Sequence, residues 1–225
     1  MFPSYAKKII HQLAQDYDNI SDHFDITRQH NWSTIQDLIG QYVKKDQNIL
    51  DLGCGNGRLT KNLPSNINYT GLDISPKLIS LARKNNPEHK FQTGDLTNLP
   101  FPDHTFDIIF AVASIHHIPS NTLRRQAISE IYRVLKQEGI FIMTNWNLYQ
   151  PKYLPYFNTN HILDKKMDEN DTLIPWKNSA GETVISRYYH AFDLDEIQKL
   201  ILRKDFNIIL NISDKFNLTT VARKR

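Results

Sequence analysis

The chain has 225 residues, 40% hydrophobic and 23% charged, a globular balance that excludes a disordered polymer. Cys54 is the single cysteine. That excludes an intrachain disulfide, a zinc ribbon or an iron–sulfur site, and points to a reducing, cytoplasmic setting. The net charge of +3 permits an anionic partner without demanding one; no apolar run approaches a membrane span, and the start lacks the apolar core of a signal peptide.

Taken in chain order, Tyr5, Ile9, Leu13 and Tyr17 recur at helical spacing behind Pro3. Trp32 leads into Ser33-x-x-Gln36, which reads as a capping box, and Ile35, Leu38, Ile39 and Tyr42 form the apolar face of that helix. Asn48 to Leu52 is a short strand running into glycines, with a helix expected after them. Tyr69 to Leu72 is a second strand. Ser75-Pro76 then opens a helix, with Ser as cap and Pro at the first position. Lys90 to Thr93 is a third strand. Phe106 to Val112 is a nearly continuous apolar run, as in a strand buried on both faces. Leu123, Ala127, Ile128, Ile131 and Leu135 form a helix face expected to end near Gly139, before a fifth strand from Ile140 to Thr144. Residues 147–190, rich in Tyr, Pro and Asn, read as an irregular, substrate-side lid. Leu194 to Leu202 is helical behind Asp193-x-x-Glu196 as cap. Phe206 to Ile212 and Phe216 to Val221 are too close for a helical crossover and read as an antiparallel hairpin. The alternation predicts an α/β fold with a parallel sheet.

The chemistry concentrates in Asp51-Leu52-Gly53-Cys54-Gly55-Asn56-Gly57, at the end of the first strand. Glycines there let the backbone turn sharply and approach a ligand closely. Gly71-Leu72-Asp73 follows about twenty residues on, where an acid at a strand tip accepts hydrogen bonds from ribose hydroxyls. Asp95, in Gly94-Asp95-Leu96, is placed to meet the exocyclic amine of an adenine. The loop reads G-x-G-x-G, unlike the dinucleotide pattern G-x-G-x-x-G. Asp51, just ahead of it, suits a ligand with a cationic end, such as the sulfonium and ammonium of S-adenosylmethionine. Cys54 reads as a packing residue.

Through these segments, with Leu99-Pro100-Phe101-Pro102-Asp103 and Phe106-Asp107, residues 48–144 resemble the class I S-adenosylmethionine-dependent methyltransferases. The resemblance implies a Rossmann-like seven-stranded sheet, mostly parallel, with an antiparallel C-terminal hairpin and a helical N-terminal cap. The expected organisation is a cap over residues 1–45, a cofactor-binding core over 46–146, a lid insertion over 147–192, and a final helix and hairpin over 193–225 that complete the core. The cofactor set is then Asp51, Gly53, Gly55, Gly57, Asp73, Ile74, Asp95, Leu96 and Ala111.

The flanks resemble one subgroup. Tyr17-x-x-Ile20-Ser21-x-x-Phe24-x-x-Thr27-Arg28 with Trp32, Asn145-Trp146 with Gln150, Leu173-Ile174-Pro175-Trp176, and Arg187-Tyr188-Tyr189-His190-Ala191-Phe192 look like the tRNA wobble-uridine carboxymethyl methyltransferases. That resemblance implies esterification of a 5-carboxymethyl group on the anticodon uridine, and hence a tRNA partner. It also brings in the small zinc-binding activator with which eukaryotic relatives cover an apolar strand edge. His89 to Gln92 is polar here, which leaves room for the chain to act alone. A carboxylate acceptor is already ionised, so alignment and desolvation can carry the reaction without a strong base. Arg28 and Arg187 can pair with that carboxylate or a phosphate. Trp32, Trp146, Trp176, Tyr188 and Tyr189, with His190 beside them, can hold a splayed base. Either His116 or His117, the pair after the fourth strand, can position the acceptor or take its proton, with His116 the candidate catalytic residue; no metal site is expected. Two other readings stay open: a small-molecule O- or C-methyltransferase with an enclosed apolar pocket, and a cofactor-binding scaffold without turnover.

Overall fold

A computed structural model describes residues 1–157 and 167–225. Three helices open the chain: α1 (Pro3–Asn19), α2 (Ser21–Thr27) and α3 (Ser33–Tyr42). Strands and helices then alternate through β1 (Asn48–Leu52), β2 (Asn68–Asp73), α4 (Pro76–Asn85), β3 (Lys90–Thr93), β4 (Phe106–Val112), α5 (Asn121–Val134) and β5 (Leu135–Trp146). β6 (Asp171–Lys177) and β7 (Thr183–His190) form a separate antiparallel ribbon. α6 (Leu194–Ile201), β8 (Phe206–Ser213) and β9 (Asn217–Lys224) close the fold. The main sheet has seven strands in the order β3-β2-β1-β4-β5-β9-β8. β1 to β5 pair in parallel, and β9 runs antiparallel to both β5 and β8.

The alternation of side chains along each strand explains why the sheet is covered on both faces. Leu50, Leu52, Ile109, Ala111, Phe141 and Met143 point to the side packed by Ile128 and Ile131 of α5 and Ile197 of α6. Ile49, Ile108, Phe110, Ile140 and Ile142 point to the side packed by Ile35, Leu38 and Ile39 of α3 and Ile79 of α4. Each of the larger side chains among these, when fully buried, contributes roughly 1.5–3 kcal/mol. Ser75 and Asp193 cap their helices as expected, accepting from Leu78 N and Glu196 N. α1 packs across α4 and β7, placing the N-terminal helices over the carboxyl ends of the strands.

Several local expectations are corrected. Trp32 is the N-cap of α3, Ser33 makes no capping bond, and the Gln36 side chain donates to Asn31 O instead, so no capping box forms. The segment after the glycines is only a 3-10 turn, Arg58–Asn62, ended before Pro64. α5 stops at Val134, short of Gly139, because Leu135 is already extended and paired with Phe106. The stretch 147–190, expected to be irregular, contains the β6–β7 ribbon. Pro175 hid it, since a ribbon of two edge strands tolerates proline. Part of the expected lid, residues 158–166, lies outside the described residues.

Candidate active site

The loop after β1 is pinned to the tip of β2: Gly53 N and Cys54 N both donate to Leu72 O, at 2.8 and 3.1 Å. Gly53 has φ +75°, and a Cβ there would stand 2.4 Å from Ser114 Cβ, so only glycine fits. Gly55 N and Ser75 N donate to the two oxygens of Asp73, each at 2.9 Å. Burial raises the Asp73 carboxyl above its ordinary range, against the pull of those N–H groups. Tyr69 OH donates to Asp51 Oδ2 at 2.7 Å, and burial pushes Asp51 up to about 7. Cys54 is buried with its thiol pushed well up by burial, a packing residue as read.

Above this loop lies a cleft open to solvent. Its wall includes Asp51, Gly53, Gly55, Asp73, Ile74, Asp95 and Leu96 of the expected cofactor set. Gly57 and Ala111 lie elsewhere. Gly57 (φ +79°) shapes the turn into the 3-10 segment. Ala111 is wholly buried in the core, and Val112 and Ala113 line the cleft instead. An acid beside the glycine loop, a second held by backbone N–H groups and a third across the cleft fit S-adenosylmethionine, with cationic, ribose and adenine ends to satisfy. Ser114 Oγ and Asn56 Oδ1, both buried on the wall, have no partner among the described residues.

The other half of the cleft is aromatic and cationic. Arg28, Trp32, His116, Trp146, Arg187 and Tyr189 all line it. Trp176 stands behind, its ring 4.7 Å from the Arg187 guanidinium and 5.1 Å from that of Arg28. Tyr188 and His190 do not join them. Successive β7 side chains point to opposite faces, so Arg187 and Tyr189 face the cleft while Tyr188 and His190 face away. Tyr188 OH and His190 Nδ1 donate to Asp171 Oδ1 at 2.6 and 2.8 Å, and His190 Nε2 donates to Glu196 at 2.9 Å. Burial lowers the His190 pKa, but these two carboxylates outweigh it and the net shift is upward.

Arg187, 4% exposed, is caged by Trp176, Tyr189, Tyr17 and Trp146 at 4.7, 5.1, 5.7 and 5.9 Å. The chain of hydrogen bonds reaching it has one polarity. His117 Nδ1 donates to Tyr188 O (2.7 Å), Tyr17 OH donates to His117 Nε2 (2.8 Å), and Arg187 donates to Tyr17 OH (3.1 Å). Burial first and Arg187 second push His117 down to about 3, so the ring stays neutral and the polarity holds. His116, also driven neutral by burial, accepts from Trp146 N at 3.1 Å. Among the described residues, arginine ion pairs belong to Arg124, Arg133 and Arg223; Arg28, Arg58 and Arg187 have none. Arg187 Nε and Tyr189 OH, both buried, also lack hydrogen-bond partners among the described residues. Tyr17, Asn31, Arg58 and Ser114 line the cleft without having been read as site residues, and His117, read with His116 as a candidate to face the acceptor, lines it too. An arginine directly after the last loop glycine was the available signal for Arg58.

The strand order with its reversed β9, the glycine loop and the acids around the cleft define a class I S-adenosylmethionine-dependent methyltransferase. Residues 50–143 match the methyltransferase domain family. Within that class the chain resembles the tRNA wobble-uridine carboxymethyl methyltransferases. It is 26% identical to the tRNA (carboxymethyluridine(34)-5-O)-methyltransferase of Schizosaccharomyces pombe over 98% of both chains. It is 27% identical to a putative methyltransferase of Encephalitozoon cuniculi, over 98% of this chain and 97% of that one. A solved S-adenosylmethionine-dependent methyltransferase of Methanosarcina mazei shares the fold, with a TM-score of 0.71 at 23% identity over 83% of this chain and 96% of the other.

Proposed function

We propose that this methyltransferase esterifies the carboxylate of a carboxymethyl-type wobble uridine in tRNA. The observation that carries the reading is Arg187, a buried guanidinium in the cofactor cleft with no carboxylate partner among the described residues. The carboxyl of Asp16 feels the Arg187 charge but forms no ion pair with it; a buried cation without a directly paired counter-charge is costly, and a planar guanidinium matches a carboxylate. The likeness to the fission-yeast enzyme supports the same acceptor.

Bound in the cleft, S-adenosylmethionine supplies a methyl group activated by sulfonium. Asp73 would hold its ribose end, Asp95 its adenine end and Asp51 its cationic end. Arg187 and Arg28 orient the acceptor carboxylate, which is already the nucleophile. Trp32, Trp146 and Tyr189 exclude water and give the uridine ring a surface. Trp176 backs the two guanidiniums. His116, neutral and engaged with the Trp146 backbone, serves as wall and anchor, since this acceptor needs no base.

Arg187→Ala should leave S-adenosylmethionine affinity within about twofold and lower methyl transfer to tRNA by 100-fold or more, as about 3 kcal/mol of charge-assisted binding is lost. Undiminished transfer in that variant would remove the reading's main support. β3, at the sheet edge, exposes Lys90 and Thr93 and buries Phe91; the lack of an apolar strip supports activity without the activator that the resemblance implies. Transfer assays with and without such a protein test this, and strict dependence would contradict it.

A further inference from the structure

Two grooves open from the mouth of the cleft, and Trp32 and Trp146 wall both of them. One passes Arg28, His30 and Arg58. The other passes Lys152 and Tyr153 and reaches Phe216. Aromatic rings continue along the second: Trp146 stacks on Tyr153 at 6.2 Å and 19°, and Phe216 stands 57% exposed at its end. A single exposed apolar residue is ordinary. Phe216 is distinguished by how its backbone is held. Asp214 Oδ1 accepts from Phe216 N at 2.6 Å and Asn217 N at 2.7 Å, and Phe216 O accepts from Asn147 N at 2.9 Å. This stapled turn presents an aromatic face with little left to order on binding. Cations accompany the rings. Lys152 Nζ lies 4.6 Å from the Tyr153 centroid and Lys215 Nζ 5.4 Å from that of Phe216. Across the mouth, the Arg58 guanidinium stands 5.3 Å from the Trp32 ring.

We infer that these grooves hold the two nucleotides flanking the methyl acceptor in single-stranded RNA, one base stacked among Trp32, Tyr153 and Phe216 and one phosphate at Arg58. The inference rests on the proposed RNA acceptor and adds its neighbours. A base lodged in the cleft must be splayed from the bases beside it, which then need other faces to stack on. Aromatic platforms serve any base, because every base has a π-face. Arg58 supplies the fork-shaped donor that phosphate recognition favours. The Asp214 carboxylate also lines the second groove, but its Oδ1 is engaged by the turn.

The test uses a fluorescently labelled hairpin RNA with an anticodon-type loop carrying 5-carboxymethyluridine, and the free nucleoside as a second acceptor. Phe216→Ala should weaken hairpin binding about tenfold, the loss of one stacked base, while Phe216→Trp retains it. Transfer to the free nucleoside should be unchanged in both, and thermal unfolding checks that both are folded. If the wild-type chain methylates the hairpin and neither Phe216→Ala nor Lys152→Ala alters its affinity, the grooves are overturned and the acceptor reading stands. If the wild-type chain transfers no methyl to the hairpin, the acceptor reading itself is overturned, and the grooves with it.

Discussion

Asp51 is set to respond to the charge of whatever binds beside it. Burial holds its pKa near 7 in the free fold, so at neutral pH it is about half protonated. A raised folded pKa contributes stability that is complete below the ordinary value of 3.8 and lost as pH rises through 7. A cationic ligand end favours the carboxylate, so binding releases a proton below that pH. S-adenosylmethionine affinity should therefore tighten from about pH 6 to about pH 8 and level off above. Calorimetry in buffers of different ionisation enthalpy checks the proton release; a flat profile would detach Asp51 from the cofactor. Gly53→Ala forces a Cβ into Ser114 at positive φ, which should cost about 2–3 kcal/mol in urea unfolding. Both residues were legible in the sequence because their setting is local, a glycine loop directly behind an acid. The Tyr17–His117–Arg187 chain was not legible. Its bonds span 100 and 170 positions, and no spacing rule reaches across folded elements.

Among the elements, the β6–β7 ribbon carries one face of the site and is held by the other. Its outward face is tied down by His190, between Asp171 of β6 and Glu196 of α6. The net upward shift of His190 makes its contribution greatest below its ordinary value near 6.5, and that contribution fades as pH rises through the raised value. Wild-type melting temperature should thus fall from pH 6 toward pH 9 by a margin that His190→Gln lacks. His190→Ala should cost about 3–5 kcal/mol, since it leaves Asp171 buried beside an empty position. Equal pH dependence in the wild type and His190→Gln would refute the charged pairing. The strands of the main sheet and the helices α1, α3, α4, α5 and α6 were readable from apolar periodicity or caps, whereas the turn after β1, the start of α3 and the end of α5 were not. The ribbon was not, because Pro175 and its interleaved polar residues broke the pattern. Reading Arg187 to His190 as one motif also hid the two-faced geometry that any strand imposes.

At the scale of the molecule, the net charge of +3 gives only a weak general attraction for RNA. Binding on the proposed reading rests on a few arginines and rings around one cleft. The salt slope for a hairpin RNA should therefore match about two or three phosphates, at about 0.7 per phosphate for single strands. A much steeper slope would indicate a basic face broader than the cleft and its grooves. The central claim is the acceptor, a carboxylate on an RNA base, and its product, a methyl ester, is labile to mild alkali where N-, C- and ribose-methylated nucleotides are not. The most direct measurement is transfer of labelled methyl from S-adenosylmethionine into tRNA bearing carboxymethyl-type uridines, followed by mild alkali. Label should enter the tRNA and leave as volatile methanol, because the product is a methyl ester. Label that enters and resists alkali would place the methyl on base nitrogen, carbon or ribose and rule out a carboxylate acceptor.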